Sequence, residues 1–201
     1  MHKLGLLPYV KKAQFDHAPD WVVPAILNSR SMRCFRALDN LQELAITSLD
    51  LSLFPSGVGE FLGRFSPTLR SLSLKGPLGS RRQLLDFFRL FPRLEDITIC
   101  GYRGDNDVYE VLDDKLVPIG GGLRGRLTLK NFHDELLLKH MIVAFGGMRF
   151  TYMSLESVQG VPLLLEACAD TLQTVYIFPG NQFHVCKTIY MFLTPELMSL
   201  C

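Results

Sequence analysis

The sequence has no long apolar run, no excess of charge of one sign and no closely paired cysteines, and each absence excludes a class of protein. No apolar segment approaches the roughly 20 residues with which a helix crosses a bilayer, so we expect no membrane partner. The N-terminal apolar run covers only about five residues before Lys11 and Lys12, which is too short for the core of a signal peptide.

Basic and acidic residues are nearly equal in number, 21 against 20, and are interspersed along the chain. Because a nucleic-acid binder usually presents a basic surface of one sign, we expect no nucleic-acid partner. An odd number of widely spaced cysteines predicts reduced thiols and a cytoplasmic or nuclear location. The five cysteines are Cys34, Cys100, Cys168, Cys186 and Cys201. Cys168 falls in a leucine-rich helical segment, where we expect it to be buried.

One short pattern recurs through the chain and is clearest in residues 65–76, FSPTLRSLSLKG. The alternation of Leu72 and Leu74 with polar residues predicts a short strand with one buried face. The pattern returns at steps of about 22 to 31 residues, the length of one strand plus one helix. Its fifth copy contains one extra residue, which predicts a bulge at Gly125. The copies are Val10/Ala13/Phe15, Leu41/Leu44/Ile46, Leu69/Leu72/Leu74, Leu94/Ile97/Ile99, Leu123/Leu127/Leu129, Phe150/Met153/Leu155 and Leu172/Val175/Ile177.

Segments with a helical spacing of apolar residues separate the predicted strands. Residues 80–91 begin at Ser80, a suitable N-cap, and Pro92 follows their last turn. Repeated units of one strand and one helix predict an α/β fold, in which the strands stack into a curved parallel sheet and the helices cover its outer face. The other predicted helices are residues 24–38, 57–65, 105–116, 134–145 and 161–169.

The repeat resembles leucine-rich repeats, and the resemblance implies an irregular solenoid of about six or seven short strands. In leucine-rich repeats, an Asn three residues after the last strand leucine bonds free backbone groups in the turn. Here the equivalent positions carry no Asn and are mostly apolar, so we expect apolar wedges in the turns. These positions are Leu49, Pro77, Tyr102, Phe132, Val158 and Gly180.

Several longer phrases lie within residues 5–179, among them FSPTLRSLSLKGPLGSRRQLLDFFRLFPRLEDITI, LRGRLTLKNF and LLLEACADTLQTVYIFP. They are similar to a large family of leucine-rich-repeat-like proteins from mushroom-forming fungi, some of which carry an F-box. The resemblance implies a non-enzymatic module that recognises another protein. That partner would be a ubiquitin-ligase substrate where a longer form supplies the F-box. No F-box-like segment precedes Leu7, so docking to the ligase itself is not carried over.

We expect a single domain over residues 1–180 and an atypical tail over residues 181–201. The tail lacks the pattern of a further repeat, which predicts a fragment or an imperfect gene model. Because terminal repeats normally need a polar cap, we also expect the isolated chain to be poorly soluble.

Gly120, Gly122 and Gly125 match the GxGxxG spacing of dinucleotide-binding loops. That motif works where a strand precedes it and a helix N-terminus follows to hold the pyrophosphate. Here a predicted helix precedes the glycines and a predicted strand follows, an order that favours a flexible connecting loop. A nucleotide-binding enzyme using residues 120–125 stays the alternative function, and a non-functional fragment of an expanded family is a third.

The remaining candidates for chemistry favour structural roles. His133, Asp134 and Glu135 are adjacent at a helix start, where we expect an exposed cap rather than an acid–base pair. His184 and Cys186 lack the second pair of ligands that a zinc site needs. These patterns predict no catalytic group, no metal site, no cofactor and no small-molecule substrate.

The strand residues that point away from the predicted core form the candidate binding face, the concave face of the solenoid. Aromatic residues are frequent interface anchors, so a cluster of them at the C-terminal end predicts a docking patch for an unknown protein partner. Small hydroxyl residues in the middle of this face also fit close packing of strands, and the aromatic cluster also fits core that further repeats would cover. The candidate partner-binding residues are Asp96, Arg126, Tyr152, Tyr176 and Phe178.

Overall fold

The computed structural model describes residues 9–15, 38–47, 62–76, 78–102, 122–178 and 189–192. The chain divides into two compact units, Met1–Leu94 and Glu95–Cys201. Both units combine helices with neighbouring parallel strands, so the predicted α/β class with parallel strands is confirmed. The leucine-rich-repeat solenoid and the single domain over residues 1–180 stay predictions.

In the first unit, three strands lie side by side in chain order and a helix follows them. The strands pair in parallel with Ala13, Leu44 and Leu72 at matching positions. These residues occupy the middle position of the recurring sequence pattern, so the pattern predicts the register as well as the strands. The elements are β1 (Lys12–Phe15), β2 (Glu43–Thr47), β3 (Ser71–Lys75) and α1 (Arg81–Arg89).

In the second unit, four parallel strands again follow chain order, with Ile97, Leu127, Met153 and Val175 at matching positions. A further strand within residues 181–201 pairs antiparallel with the last of them, an element that the repeat pattern does not predict. The elements are β4 (Asp96–Cys100), β5 (Leu123–Phe132), α2 (Glu135–Ala144), β6 (Met148–Val158), α3 (Val161–Ala167), β7 (Thr174–Phe178) and β8 (Ile189–Phe192).

Alternation along each strand separates a buried face from an open one. In β5, Leu127 and Leu129 are fully buried, whereas Thr128 between them is half-buried on the other face. Successive side chains of a strand point to opposite faces, and each fully buried leucine contributes about 1.5–3 kcal/mol to stability. The helices add their own buried side chains, among them Leu137 and Leu138 of α2. The core therefore lies on one face of the described strands, and the residues of the other face are half-buried or exposed.

The start of α1 is fixed by a reciprocal pair of hydrogen bonds. The Ser80 Oγ accepts from the Gln83 backbone N–H at 3.3 Å, and the Gln83 Oε1 accepts from the Ser80 backbone N–H at 2.9 Å. This capping box satisfies two of the donors that a helix N-terminus otherwise leaves unpaired. The predicted N-cap is confirmed.

Asp134 caps α2, and its Oδ1 accepts from the Leu137 backbone N–H at 2.9 Å. The side chain is only 4% exposed, so the prediction of an exposed cap is wrong for this residue, although His133 and Glu135 are exposed. A carboxylate tolerates this burial when a hydrogen bond satisfies it. The sequence predicts that Asp134 caps the helix, but it does not predict that the cap is buried.

The register between β5 and β6 shifts at Gly125, where a bulge is predicted. Gly125 lies opposite Phe150 and Arg126 lies opposite Tyr152, which leaves Thr151 as the extra residue. The Thr151 Oγ1 donates to the Gly125 carbonyl at 3.2 Å. The bulge is therefore at the predicted place, but the prediction that the fifth copy carries the extra residue is wrong, because the additional residue belongs to β6.

The predicted apolar wedges are buried at Tyr102, after β4, and at Phe132, the last residue of β5, whereas Val158, the last residue of β6, is half-buried. Tyr102 and Phe132 are buried, and their rings stack with centroids 5.3 Å apart. Asn131 precedes Phe132 and has a φ of 49°, a left-handed conformation that interrupts the strand alternation. Because of this interruption, Leu129 and Phe132 are both buried although they are three residues apart. The equivalent residues Leu49, Pro77 and Gly180 lie outside the described residues.

The three helices predicted for residues 80–91, 134–145 and 161–169 correspond to α1, α2 and α3. The predicted helix at residues 105–116 lies outside the described residues, as does nearly all of residues 24–38 and most of residues 57–65. In the described part of the chain, every helix is too short or too polar to cross a membrane.

Candidate functional site

The open face of the second unit consists of three rows of residues that are Cα partners in successive strands. We call these twelve residues the open face: Asp96, Arg126, Tyr152, Thr174; Thr98, Thr128, Ser154, Tyr176; and Cys100, Lys130, Glu156, Phe178. The rows keep the register of the recurring sequence pattern. All five candidate partner-binding residues therefore lie on one face of one unit.

Tyr152 is the centre of the open face because it contacts a cation on one side and an aromatic ring on the other. The Arg126 guanidinium carbon lies 4.6 Å from the centroid of the Tyr152 ring. The Tyr152 and Tyr176 centroids are 5.5 Å apart, with the ring planes tilted by 48°. The cation–π contact contributes about 0.5–1 kcal/mol at such a site, and the aromatic pair about 0.5–1.5 kcal/mol. The three side chains therefore hold one another in position.

Register explains how residues from three strands meet. Arg126 of β5 and Tyr152 of β6 are direct partners, whereas Tyr176 of β7 is the partner of Ser154, two residues beyond Tyr152. Diagonal neighbours of this kind are within reach of aromatic side chains. The small Ser154 side chain leaves the space through which the Tyr152 and Tyr176 rings approach each other.

Asp96 lies beside Arg126 at the start of the first row and is half-buried. Because β4 and β6 flank β5, Asp96 and Tyr152 lie on opposite sides of Arg126 in the row. The first row therefore runs from an acid through a base to an aromatic ring, which gives the open face a defined polarity across the strands.

The third row is held by charge. The Lys130 Nζ lies 3.2 Å from the Glu156 Oε2, with both side chains about half exposed at 46% and 44%. An exposed ion pair of this kind contributes roughly 0–1 kcal/mol. Lys12 and Glu43 make an equivalent pair at 3.0 Å across β1 and β2 of the first unit. Each of these two ion pairs therefore orients its side chains more than it stabilises the fold.

Phe178 is placed differently from the two tyrosines. It is half-buried and lines a cavity of about 290 Å³ at the carboxyl end of β6 and β7. The cavity walls also include Leu155, Val158, Val161 and Ile177. The predicted aromatic cluster is therefore a tyrosine pair beside Arg126, with Phe178 at the neighbouring cavity.

Two residues that the sequence pattern does not identify lie next to this cluster. Arg124 and Arg149 are exposed Cα partners on β5 and β6. Both lie before the bulge, whereas the three rows of the open face begin after it. A search that continues the alternation backward from Arg126 would have found Arg124.

Gly122 and Gly125 are the glycines of the GxGxxG motif that the structure describes, and Gly125 has a packing role. Gly122 directly precedes β5, and Gly125 lies inside that strand. A methyl group on Gly125 would collide with the backbone carbonyl of Glu95, which accepts a hydrogen bond from the Arg126 N–H at 2.7 Å. A strand, rather than the helix N-terminus that binds pyrophosphate, follows Gly122. Gly120 lies outside the described residues.

Cys168 follows α3 and is 1% exposed, as predicted. Burial raises the pKa of its thiol, and a backbone hydrogen bond with Phe150 partly offsets that increase. Within the described residues, no three His, Cys, Asp or Glu side chains come together in a way that could hold a metal ion. His184 and Cys186 lie outside that part of the chain.

No family model, no curated protein and no solved structure matches the chain. The resemblance to the fungal leucine-rich-repeat-like family therefore stays a prediction, and the function has to be argued from the geometry of the open face.

Proposed function

We propose that the chain is a non-enzymatic protein-recognition module that binds its partner on the open face of the second unit. The observation that carries the proposal is the contact of Arg126, Tyr152 and Tyr176 on the face opposite the core. Tyrosine and arginine are the residue types most often found at the energetic centre of protein interfaces.

The rigidity of this cluster favours binding. Tyr152 and Tyr176 are half-buried before any partner arrives, and each stands on a strand whose backbone is paired on both sides. When a partner covers the two tyrosines, their side chains therefore lose little conformational freedom. Association therefore costs less side-chain entropy here than on a surface of long, mobile side chains.

A second, more specific proposal concerns the identity of the partner, and it rests on the family resemblance. By that analogy, the partner is a protein marked for ubiquitination, and a longer form of the chain supplies the F-box that recruits the ligase. The open face would then bind the substrate and leave the F-box to bind the ligase core.

The test compares two neighbouring residues that point to opposite faces of β6. A partner is isolated by co-purification with the full chain from the cells that express it, and its Kd is measured by calorimetry. We expect Tyr152→Ala to weaken binding about 30-fold, which corresponds to about 2 kcal/mol. Loss of its contacts with Arg126 and Tyr176 should lower the melting temperature by about 2–10 °C. Met153→Ala, which removes a fully buried side chain, should lower the stability by about 2–5 kcal/mol.

The conservative variant Tyr152→Phe separates ring packing from a polar role of the hydroxyl, and we expect it to keep the affinity within about threefold. If Tyr152→Ala destabilises the fold as much as Met153→Ala does, Tyr152 is a core residue and the proposal is wrong. A partner that binds Tyr152→Ala as tightly as the original chain would also contradict it.

A further inference from the structure

Three exposed arginines stand on the same side of β5 and β6 as the tyrosine pair. Arg124 and Arg126 are two residues apart on β5, and Arg149 is the Cα partner of Arg124 on β6. Gly125, between Arg124 and Arg126, has a φ of +90°, so the spacing of a regular strand does not apply there. The buried residues Leu123 and Leu127 on either side nevertheless place both arginines together on the exposed face, and neighbouring strands are about 4.8 Å apart. The three side chains therefore start close together on one face of β5 and β6. We call these three residues the arginine triangle.

The arginine triangle places like charges opposite each other, and their repulsion lowers the stability of the fold. Like charges directly opposite each other on neighbouring strands are destabilising, and Arg124 and Arg149 occupy opposed positions. Two carboxylates lie close by: Glu95, whose Oε1 is 3.9 Å from an Arg124 guanidinium nitrogen, and Asp96, the Cα partner of Arg126. Two acids against three bases leave the group with an excess of one positive charge.

The bulge is what places these arginines beside the tyrosines. The extra residue Thr151 shifts β6 by one position, so that Arg149 is level with Arg124 while Tyr152 is level with Arg126. Bulges often re-aim side chains next to binding sites. The Arg126 guanidinium is further held over the Tyr152 ring, so its direction is fixed before a ligand arrives.

We propose that the arginine triangle binds an acidic segment of the protein partner, in extended conformation and with carboxylates two residues apart. This inference rests on the proposed function and names the chemistry of the partner. In an extended chain, alternate side chains point to the same face, so two carboxylates of the segment can face the arginines together. Each carboxylate accepts charge-assisted hydrogen bonds from one guanidinium, and an apolar side chain further along the segment covers Tyr152 and Tyr176.

Singly charged carboxylates fit this site better than phosphate does. A phosphate group brings nearly two negative charges, and it would stand close to the Glu95 and Asp96 carboxylates. Two carboxylates of an extended segment bring a similar total charge but spread it over two side chains, so that each can lie against one guanidinium.

The experiment is a selection of random twelve-residue peptides displayed on phage against the immobilised full chain. The wild type and the double variant Arg124→Gln/Arg149→Gln are used in parallel. We expect the wild type to enrich peptides with Asp or Glu at alternate positions beside an aromatic or aliphatic residue. The double variant should lose the acidic preference. A synthetic peptide from the selection should bind the double variant about 10–100-fold more weakly at low salt, since each charged contact contributes about 3–10-fold.

The control variant is Lys139→Gln, which removes an exposed positive charge from α2 of the same unit. Lys139 has one exposed carboxylate partner, Glu135, at 2.8 Å, much as Arg124 has Glu95. We expect this control to leave the Kd within about twofold, because α2 carries buried residues of the core and lies away from the open face. Raising the salt from about 0.05 to 0.5 M should weaken peptide binding to the wild type and remove most of the difference between the wild type and the double variant.

The outcomes separate the two proposals. Peptides that depend on Tyr152 and Tyr176 but show no acidic preference would overturn the arginine proposal and leave the recognition surface in place. Acidic peptides that bind equally well to the double variant would overturn it too. If no enriched peptide depends on either tyrosine, both proposals fail.

Discussion

An added methyl group at Gly125 should lower the stability of the second unit strongly. The φ of Gly125 is +90°, and the direction in which a Cβ would point is occupied by the Glu95 backbone carbonyl. Replacement by alanine therefore combines two costs. Strain in a left-handed conformation costs about 1–2 kcal/mol, and the collision forces β4 and β5 apart at the hydrogen bond between the Arg126 N–H and the Glu95 carbonyl.

The second cost follows from that hydrogen bond. Losing a backbone hydrogen bond of this kind costs about 0.5–1.5 kcal/mol, and more where a buried group is left unpaired. Together the two costs give about 3 kcal/mol for Gly125→Ala. For a chain of this size, 1 kcal/mol shifts the melting temperature by about 2–4 °C, so we expect a decrease of about 6–12 °C by circular dichroism.

Gly147 provides the matched control. Its φ is +108°, yet nothing lies within 4 Å of the place where its Cβ would be. Gly147→Ala should therefore cost only the conformational strain, about 1–2 kcal/mol, and lower the melting temperature by about 2–8 °C, less than Gly125→Ala does. If the two variants melt at the same temperature, the collision with the Glu95 carbonyl is not a real constraint and the argument for the close approach of β4 and β5 is refuted.

Two further predictions concern buried polar groups. Asp134→Ala removes the cap from α2 and leaves the Leu137 N–H without its acceptor, so the free energy of unfolding in urea should fall by about 1–2 kcal/mol; an unchanged value would refute the cap. Cys168 should react with iodoacetamide at pH 8 at least about 100-fold more slowly in the folded chain than in urea, since the thiol is buried and its pKa is raised. Mass spectrometry of the Cys168 peptide measures both rates, and equal rates would contradict its burial.

The strands and their register follow from the sequence because the recurring pattern has a period of two and is anchored by leucines. In β5, Leu127 and Leu129 alternate with polar residues, and a strand slipped by one position would bury Thr128 instead. The same alternation predicts that Arg126 and Tyr152 are neighbours on the open face. The tilt of the tyrosine rings does not follow from it, because side-chain rotamers depend on all three strands at once.

The features that the sequence does not predict depend on contacts between distant parts of the chain. The four residues of β8, IYMF, are apolar throughout and carry no period-two signal, and their antiparallel pairing with β7 is a tertiary contact. The burial of Asp134 depends on where α2 packs, which its capping signal does not specify. Arg124 and Arg149 become partners only because Thr151 is an extra residue.

We propose that the tyrosines of the open face bind a partner and do not belong to the core. The most direct test is the partner Kd of Tyr176→Ala, measured where unfolding curves show the variant to be folded. Val175→Ala is the reference, because Val175 is the adjacent, buried residue of β7. We expect Tyr176→Ala to weaken binding at least about tenfold and Val175→Ala to change it less than about threefold, although Val175→Ala should destabilise the fold more. Equal affinity in the original chain and Tyr176→Ala would contradict the claim.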